Sequence, residues 1–347
     1  MKTLKVAILG FGNAGRAFAK LMLEKRADIE EIYGTNVDVV AITTKSKGSL
    51  VDMNGINLLQ ACDDLENRGS FDPTWPAYSK ITSMEVVETV DYDILIELTP
   101  LMIFSGQPAI DHIRGALLRR KHVITANKGP IAWAYEELRE LAKKQHCLFY
   151  FETSVMDGTP IFNLVDETLK FCKVTEVNGI LNSTTNFVLE ELAQGKAYDT
   201  VIEEGKRRGF IEADPAMDIE GWDAAAKTTA LLNVLMNAGI TPNDIDRKGI
   251  ENITADDLKA AALRGNTIKL ICRGTIENGQ VIGTVKPMEI SKNTLFANID
   301  GTSSIVSVTT DLMGTISIVE HEPEIEQTAY GIFSDLIRVL DKLPLMN

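Results

Sequence analysis

The feature that most constrains the fold is a glycine-rich segment close to the start of the chain. An apolar, β-branched run at Leu4–Leu9 predicts a first strand, and G-F-G-N-A-G follows it directly at residues 10–15. A helical pattern then covers Arg16–Lys25. A strand, G-x-G-x-x-G and a helix in this order are typical of a domain that binds a dinucleotide. The alternative is a glycine-rich turn that holds no ligand.

If the segment binds a dinucleotide, each glycine has a separate task. Gly10 permits the tight turn, Gly12 lets a diphosphate approach the backbone, and Gly15 lets the helix pack against the strand. The N-terminus of the helix attracts the phosphates. The cofactor contacts predicted from this loop are Gly10, Gly12, Asn13, Ala14 and Gly15.

Strands and helices continue to alternate as far as Phe151, which predicts an α/β Rossmann domain over residues 1–151. The predicted strands are Val37–Thr44, Asp93–Leu98, His122–Thr125 and Leu148–Phe151, and the predicted helices are Leu58–Glu66, Ala109–Arg120 and Trp133–Gln145. Apart from one helix, we expect the polar residues 47–83 to form loops.

Sheets of this kind bind their ligands at the carboxyl ends of the strands. NAD-preferring sites usually have an acidic residue for the ribose at the end of the second strand. Here that position reads T-T-K, which favours NADP over NAD, whereas ordinary solvated loop residues are the alternative. The cofactor contacts predicted at the strand ends are Thr43, Thr44, Lys45, Thr99, Pro100 and Lys128.

The pattern changes after Phe151. Residues 152–320 contain strands with helices between them. The predicted strands are Val174–Leu181, Thr267–Ile276, Val281–Ile290, Ser304–Thr310 and Thr315–Glu320. This pattern predicts an α+β domain on a mixed or antiparallel sheet. Residues 321–347 contain a last helix, Glu326–Leu340, which we expect to pack back on the Rossmann domain.

The second domain contains an acidic loop that leads into a helix. Residues 212–227 read E-A-D-P-A-M-D-I-E-G-W-D-A-A-A-K. Asp223 and Lys227 are four residues apart, so they share one face of the helix predicted at Trp222–Gly239. So many carboxylates close to one lysine indicate a binding or catalytic site. The alternative is an acidic helix cap and a surface ion pair worth about 0.3–0.5 kcal/mol.

The composition excludes several classes of partner. The net charge of −14 argues against nucleic acid and anionic membranes. The four cysteines are far apart, which is typical of unpaired thiols in a reducing compartment. The sequence shows no signal peptide and no apolar run of membrane-spanning length. We therefore expect a cytoplasmic protein that binds neither nucleic acid nor membranes.

Four segments together resemble the homoserine dehydrogenase family: the glycine loop, Thr125–Lys128, Gly179–Asn186 and Glu212–Lys227. The resemblance implies an NAD- or NADP-dependent oxidoreductase that interconverts L-homoserine and L-aspartate 4-semialdehyde in threonine, methionine and isoleucine biosynthesis. It also implies a homodimer in which the second domain binds the substrate and forms the subunit contact.

The resemblance assigns roles to individual residues. Lys227 matches the catalytic lysine of the family and Lys128 its second active-site lysine. Hydride transfer to an aldehyde builds negative charge on the oxygen, and an ammonium group both stabilises that charge and donates the proton. The predicted catalytic residues are Lys227, Lys128 and Asp223, and the predicted substrate-binding residues are Glu212, Asp218, Asp223 and Thr184.

The family also holds a sodium ion through backbone carbonyls of one turn. That turn aligns with Glu152, Val155, Asp157 and Thr159. Because carbonyl ligands leave no side-chain signature, the resemblance is the only support for this sodium site.

The chain departs from the family pattern at two places. Ser183 stands where a glycine is usual, and Glu320–Glu326 replaces a glycine-rich segment that closes the site over the nicotinamide. The second departure keeps open a related NADP-dependent dehydrogenase of another small amino or hydroxy acid. A nucleotide-binding sensor without catalysis is the alternative from another class. Since no regulatory domain follows Asn347, we expect no potent inhibition by threonine.

Overall fold

The computed structural model describes residues 2–212 and 214–346. The chain forms two compact units. The first contains the described chain up to Pro130, the segment Ala134–Pro160, and the C-terminal segment from Glu324. The second contains Ile161–Pro323 together with Ile131–Trp133.

The elements are numbered in chain order. The strands are β1 (Lys2–Leu9), β2 (Thr35–Thr43), β3 (Ser49–Val51), β4 (Tyr78–Ser79), β5 (Ile94–Glu97), β6 (His122–Thr125), β7 (Phe149–Tyr150), β8 (Val174–Ile180), β9 (Asp246–Arg247), β10 (Asn266–Glu277), β11 (Gln280–Ser291), β12 (Ser304–Thr310) and β13 (Gly314–Glu320). The helices are α1 (Asn13–Tyr33), α2 (Leu58–Asp63), α3 (Ser83–Thr89), α4 (Ala109–Leu118), α5 (Lys128–Gln145), α6 (Ser183–Ala193), α7 (Tyr198–Arg208), α8 (Ala216–Ile219), α9 (Trp222–Met236), α10 (Ala255–Leu263) and α11 (Ile325–Met346). None of these helices, within the residues that the structure describes, is long and apolar enough to cross a membrane.

The first unit is built on a seven-stranded sheet in the order β4-β3-β2-β1-β5-β6-β7. The five strands from β2 to β7 in this order are parallel, whereas β3 and β4 extend one edge in antiparallel pairs. The chain runs from β1 to β2 on one side and later returns to the other side of β1 as β5. The gap between β1 and β5 is therefore a topological switch point, where such sheets bind their ligands.

Successive side chains of β1 enter two different apolar clusters. Val6 and Ile8 belong to one cluster, and Ala7 and Leu9 belong to the other, as the alternation of side chains across a strand requires. Helices α1 and α11 contribute side chains to the first cluster. The last helix therefore packs within the first unit.

The second unit contains a six-stranded sheet in the order β13-β12-β8-β10-β11-β9. All its pairs are antiparallel except the short pair of β9 with β11. Strands β10 and β11 form a hairpin whose two loop residues, Asn278 and Gly279, have φ of 49° and 80°. Tight hairpin turns need such left-handed residues. The predicted fold class, a Rossmann domain followed by an α+β domain with a mixed sheet, is confirmed.

Several predictions about individual elements are wrong. Strands β3 and β4 lie within residues 47–83, where we expected only loops and one helix. At three and two residues they are too short to produce a periodic pattern. Helix α3 was missed although Thr82 and Glu85 form a capping box at its start.

Candidate functional site

The glycine loop joins β1 to α1 at the switch point. Gly10 has a φ of +92°, and a Cβ atom there would lie 2.3 Å from the carbonyl oxygen of Leu98, which follows β5. A Cβ atom on Gly15 would lie 2.9 Å from the carbonyl oxygen of Gly10. The Gly10 N–H donates to the carbonyl of Thr43 at 3.0 Å. Two of the three glycines are thus required by close packing inside the unit.

Gly12 differs from the other two glycines. It is exposed at the N-terminus of α1, and a Cβ atom at this position would meet no atom within 4 Å. Asn13 and Ala14 form the first turn of the helix, whose N–H groups have no partner within the helix. Open space beside such N–H groups suits a dinucleotide diphosphate. The residues present therefore fit the predicted cofactor.

Of the three polar residues predicted as cofactor contacts at the end of β2, two are engaged in hydrogen bonds within the protein and one is an exposed cation. Thr43 is buried, and its hydroxyl hydrogen-bonds to Ser83 at 2.7 Å. The Thr44 hydroxyl donates to the carbonyl of Gly48 at 2.7 Å. Lys45 is exposed. Of the predicted residues at this strand end, Lys45 is the one that is both charged and exposed.

The ends of β5 and β6 bring together the other predicted residues of the first unit. Thr99 and Pro100 follow β5, and Lys128 is the first residue of α5. Asn127 caps α5 by accepting from the Gly129 N–H at 3.0 Å. Its Nδ2 donates to the carbonyl of Thr99 at 3.0 Å. Thr99, Pro100 and Lys128 therefore lie on connected turns at one edge of the sheet.

In the second unit, four side chains form what we call the acid–lysine cluster: Asn182, Asp218, Asp223 and Lys227. Asn182 Nδ2 donates to Asp218 Oδ1 at 2.7 Å and to Asp223 Oδ2 at 3.0 Å. Lys227 Nζ donates to the carbonyl of Leu181 at 2.8 Å and lies 3.5 Å from Asp223 Oδ2. The cluster thus gives the lysine a defined position beside two carboxylates.

Local structure explains how each member reaches the cluster. Asn182 is the N-cap of α6, because its Oδ1 accepts from the Thr185 N–H at 2.8 Å. Gly221, with a φ of +79°, turns the chain into α9. Asp223 then lies in the first turn of α9, where the helix dipole favours a carboxylate. Lys227 is one turn further along the same face.

Asp218 has a perturbed environment in the cluster. Burial raises the pKa of its carboxyl above the ordinary value, and the neighbouring Asp223 carboxylate raises it further. Hydrogen bonds from Asn182 and Thr184, together with the Lys227 charge, lower it in part. Thr184 thus enters the site by binding Asp218. Perturbed carboxyl groups of this kind are common at functional sites.

The structure does not join Glu212 to this cluster. Its side chain is exposed on the loop after α7, and the next residue, Ala213, lies outside the described residues. The hydrogen bonds that hold the acid–lysine cluster do not include it. Glu212 therefore remains a prediction from the sequence.

The turn aligned with the family's sodium site lies in the first unit, and its predicted ligands are Glu152, Val155, Asp157 and Thr159. Helix α11 holds this turn, since Asp335 accepts from the Glu152 N–H at 2.9 Å and Thr328 donates to Asp157 Oδ1 at 2.7 Å. Burial raises the pKa of Asp335 to about 7. Within the described chain, no group of three or more His, Cys, Asp or Glu side chains could hold a metal. A cation at this turn would need carbonyl ligands.

Sequence reasoning missed two residues that organise these sites. Asn182 was included in a motif but was not assigned a role, although an Asn directly after a strand is a strong helix N-cap signal. Glu97 was included in a strand, yet its side chain accepts hydrogen bonds from Thr99. An acidic residue inside an apolar strand was the available signal, since buried charges need partners.

Two family models match the chain. Homoserine dehydrogenase, NAD binding domain, matches residues 10–152, and homoserine dehydrogenase matches residues 160–337. A homoserine dehydrogenase from Methanocaldococcus jannaschii is 38% identical over 337 residues, which cover 97% of this chain and 98% of the relative. An NAD(+)-dependent homoserine dehydrogenase from Pseudomonas canavaninivorans is 32% identical, with coverage of 98% and 97%.

Solved structures agree with these sequence matches. A hyperthermophilic archaeal homoserine dehydrogenase in complex with NADPH aligns with a TM-score of 0.83 and 30% identity over 99% of each chain. A homoserine dehydrogenase from Thiobacillus denitrificans aligns with a TM-score of 0.84 and 27% identity. That alignment covers 99% of this chain and 75% of the other. Both cofactors occur in these names, since one relative is called NAD(+)-dependent and another was solved in complex with NADPH.

Proposed function

The chain belongs to the homoserine dehydrogenase family, and we propose that its acid–lysine cluster binds and protonates the substrate. The protein is an NAD(P)-dependent oxidoreductase that acts on a CH–OH group, that of homoserine. The observation that supports the role of the cluster is the double hydrogen bond of Asn182. It holds the carboxylates of Asp218 and Asp223 next to Lys227 in spite of their mutual repulsion.

We assign the central role in catalysis to Lys227. When bound, the nicotinamide donates or accepts the hydride. Lys227 stabilises the charge that develops on the aldehyde oxygen and donates the proton, and in the opposite direction it receives it. The Leu181 carbonyl and Asp223 keep the ammonium group in place. Lys128 is the second cation in the proposal.

The carboxylates select an amino-acid substrate. Asp223 and Glu212 provide acceptors for the substrate ammonium, and Asp218, which is connected to Asp223 through Asn182, orients Asp223. Glu212→Gln should therefore raise the KM for homoserine about tenfold with a smaller change in kcat, because it removes a ground-state contact. An unchanged KM would show that Glu212 does not contact the substrate.

The proposed function has a direct test. Purified protein should oxidise NADPH when L-aspartate 4-semialdehyde is added, and it should reduce NADP when L-homoserine is added. Serine, which is one carbon shorter than homoserine, and 4-hydroxybutyrate, which lacks the ammonium group, are the matched control substrates. An equal or higher kcat/KM with either control would support the alternative dehydrogenase of another small acid.

We propose a preference for NADP over NAD. The support is the exposed Lys45 at the end of β2, where an acidic residue would repel a 2′-phosphate. The measurement is the ratio of kcat/KM for the two cofactors. A preference for NAD would contradict this reading of the strand end.

We also propose a sodium ion at the carbonyls of Glu152, Val155, Asp157 and Thr159. The turn is mostly buried, and the Oδ1 atom of Asp335 beside it has no hydrogen-bond partner among the described residues. The Arg338 guanidinium lies 3.7 Å from that oxygen, so the support for a bound cation is the burial of the turn rather than a lone carboxylate. Replacing choline chloride by sodium chloride at constant ionic strength should raise the unfolding temperature, since a ligand of the folded state stabilises it. An identical temperature in both salts would contradict the site.

The remaining proposals concern assembly and location. A homodimer is supported by exposed apolar residues of the second unit: Met288 of β11 is 41% exposed, and Leu312 in the turn between β12 and β13 is 70% exposed. A mass of one chain, measured by light scattering after size exclusion, would contradict the homodimer. We also propose a cytoplasmic role in threonine, methionine and isoleucine biosynthesis, which membership of the family supports. Failure to complement a homoserine auxotroph would contradict that role.

A further inference from the structure

The first unit contains a buried carboxylate that the proposed mechanism does not use. Glu97 is the last residue of β5, and its exposed fraction is 0%. Burying an ionised carboxylate is costly unless hydrogen bonds compensate the lost hydration. A carboxyl group at such a place therefore needs an explanation in the contacts that it makes.

Glu97 binds the turn that follows its own strand. Its Oε1 accepts from the Thr99 N–H at 3.2 Å and also from the Thr99 hydroxyl. The ring nitrogen Nδ1 of the buried His112 lies 3.5 Å from the same oxygen. The carboxylate thereby fixes both the backbone and the side chain of Thr99.

Glu97 also binds the neighbouring strand end. The Thr125 hydroxyl donates to the Glu97 carbonyl at 3.0 Å and lies 3.4 Å from Glu97 Oε2. The same hydroxyl accepts from the Asn127 N–H at 3.0 Å. Asn127 in turn donates to the Thr99 carbonyl at 3.0 Å, which closes a ring of four residues.

This ring joins the two turns that carry proposed functional residues. One turn contains Thr99 and Pro100, and the other contains Asn127, which caps the helix beginning at Lys128. Carboxylates that only stabilise a helix start do so elsewhere in this unit. Glu85, for example, accepts from both the N–H and the hydroxyl of Thr82 at the exposed start of α3.

We propose that Glu97 is a positioning residue that fixes the Thr99-Pro100 turn and the Asn127-Lys128 turn in one relative geometry for hydride transfer. The inference rests on the proposed function, since it needs Thr99 as a cofactor contact and Lys128 as the second cation. Binding of the diphosphate depends on the glycine loop instead. Loss of the Glu97 carboxylate therefore affects alignment at the reacting end far more than cofactor affinity.

The test compares Glu97→Gln with Glu85→Gln, because both carboxylates accept from the N–H and hydroxyl of a threonine. In Glu97→Gln we expect kcat to fall about 10- to 100-fold, since misplacement by about 1 Å costs that much. The Kd for NADPH, measured by fluorescence titration, should stay within about threefold, because the glycine loop is untouched. The primary isotope effect with 4-deuterated NADPH should rise as hydride transfer becomes rate-limiting. Glu85→Gln should lower only the unfolding temperature.

If Glu97→Gln folds poorly, a second pair of variants tests the same ring of hydrogen bonds. Thr125→Val removes one hydroxyl of the ring and should lower kcat and raise the isotope effect, and Thr125→Ser should restore both. If Glu97→Gln and Thr125→Val behave like Glu85→Gln, with lower stability but the wild-type isotope effect and kcat, the proposal is overturned. A wild-type protein that does not turn over aspartate semialdehyde would instead overturn the proposed function.

Discussion

The two units build their candidate sites from different materials. In the first unit, the cofactor side is formed by backbone: two packed glycines, open space at Gly12 and a helix N-terminus. In the second unit, the acid–lysine cluster consists of side chains from three separate segments. Asn182 and Asp218 are 36 residues apart in the chain, and Asn182 and Asp223 are 41 apart.

This difference predicts how each site responds to mutation. A backbone site depends on what fits into a space, so adding one methyl group changes ligand affinity. A side-chain site depends on charges held close together, so removing one group changes the chemical step and the local electrostatics. Five variants, compared with matched controls, separate these two kinds of response.

The largest effect is expected for Lys227→Met, which has nearly the same shape but lacks the ammonium group. The rate should fall about 10²- to 10⁴-fold, because the proton donor and the charge that stabilises the transition state are both lost. The control is Lys259→Met, since Lys259 also pairs with an aspartate on a helix but is 66% exposed rather than 20%. Steady-state kinetics should show no change in the control. A similar kcat in both variants would show that Lys227 only forms a surface ion pair and has no catalytic role.

The next effect concerns two alanine substitutions in the glycine loop. Gly12→Ala should weaken NADPH binding about 10- to 100-fold without lowering stability, because its Cβ fills space needed by the diphosphate. Gly10→Ala should lower stability by about 1–3 kcal/mol, because a φ of +92° and contact with Leu98 oppose any side chain. Fluorescence titration and chemical unfolding measure the two effects. Normal NADPH affinity in Gly12→Ala would place the diphosphate elsewhere.

A smaller effect is expected at the end of β2. Lys45→Glu should lower the ratio of kcat/KM for NADP over NAD by about tenfold, since a carboxylate repels the 2′-phosphate. Lys47→Glu is the control, because it makes the same change of charge two residues away on the exposed turn. Equal ratios in the two variants would show that only the overall charge matters.

The smallest effect is a gain in stability from Asp218→Asn. Because the folded pKa of Asp218 lies above its unfolded value, the ionised carboxylate costs stability near neutral pH. Its removal should raise the unfolding temperature by about 1–3 °C at pH 7. The gain should shrink as the pH falls towards about 4, where the unfolded carboxyl also binds its proton. Asp214→Asn, on the exposed part of the same loop, should change little, and a pH-independent gain would contradict the electrostatic cause.

The same difference explains how much could be predicted from the sequence. The glycine loop and the pair Asp223 and Lys227 depend on local spacing, so the sequence predicts both. The fold class could be predicted as well, because long strands and helices show their own periods. The bond from Asn182 to Asp218 joins distant segments, and no local pattern contains it. Strands β3 and β4 were missed for a related reason, since tertiary pairing rather than local propensity forms them.

We propose that the two units have separate roles: the first binds the cofactor, and Lys227 of the second performs the proton chemistry. The most direct test measures single-turnover hydride transfer from bound NADPH to aspartate semialdehyde in Gly12→Ala and Lys227→Met at increasing NADPH concentrations. We expect saturating NADPH to restore the rate constant of Gly12→Ala to near the wild-type value and to leave Lys227→Met slow. A slow Gly12→Ala at saturation, or a wild-type rate constant in Lys227→Met, would contradict it.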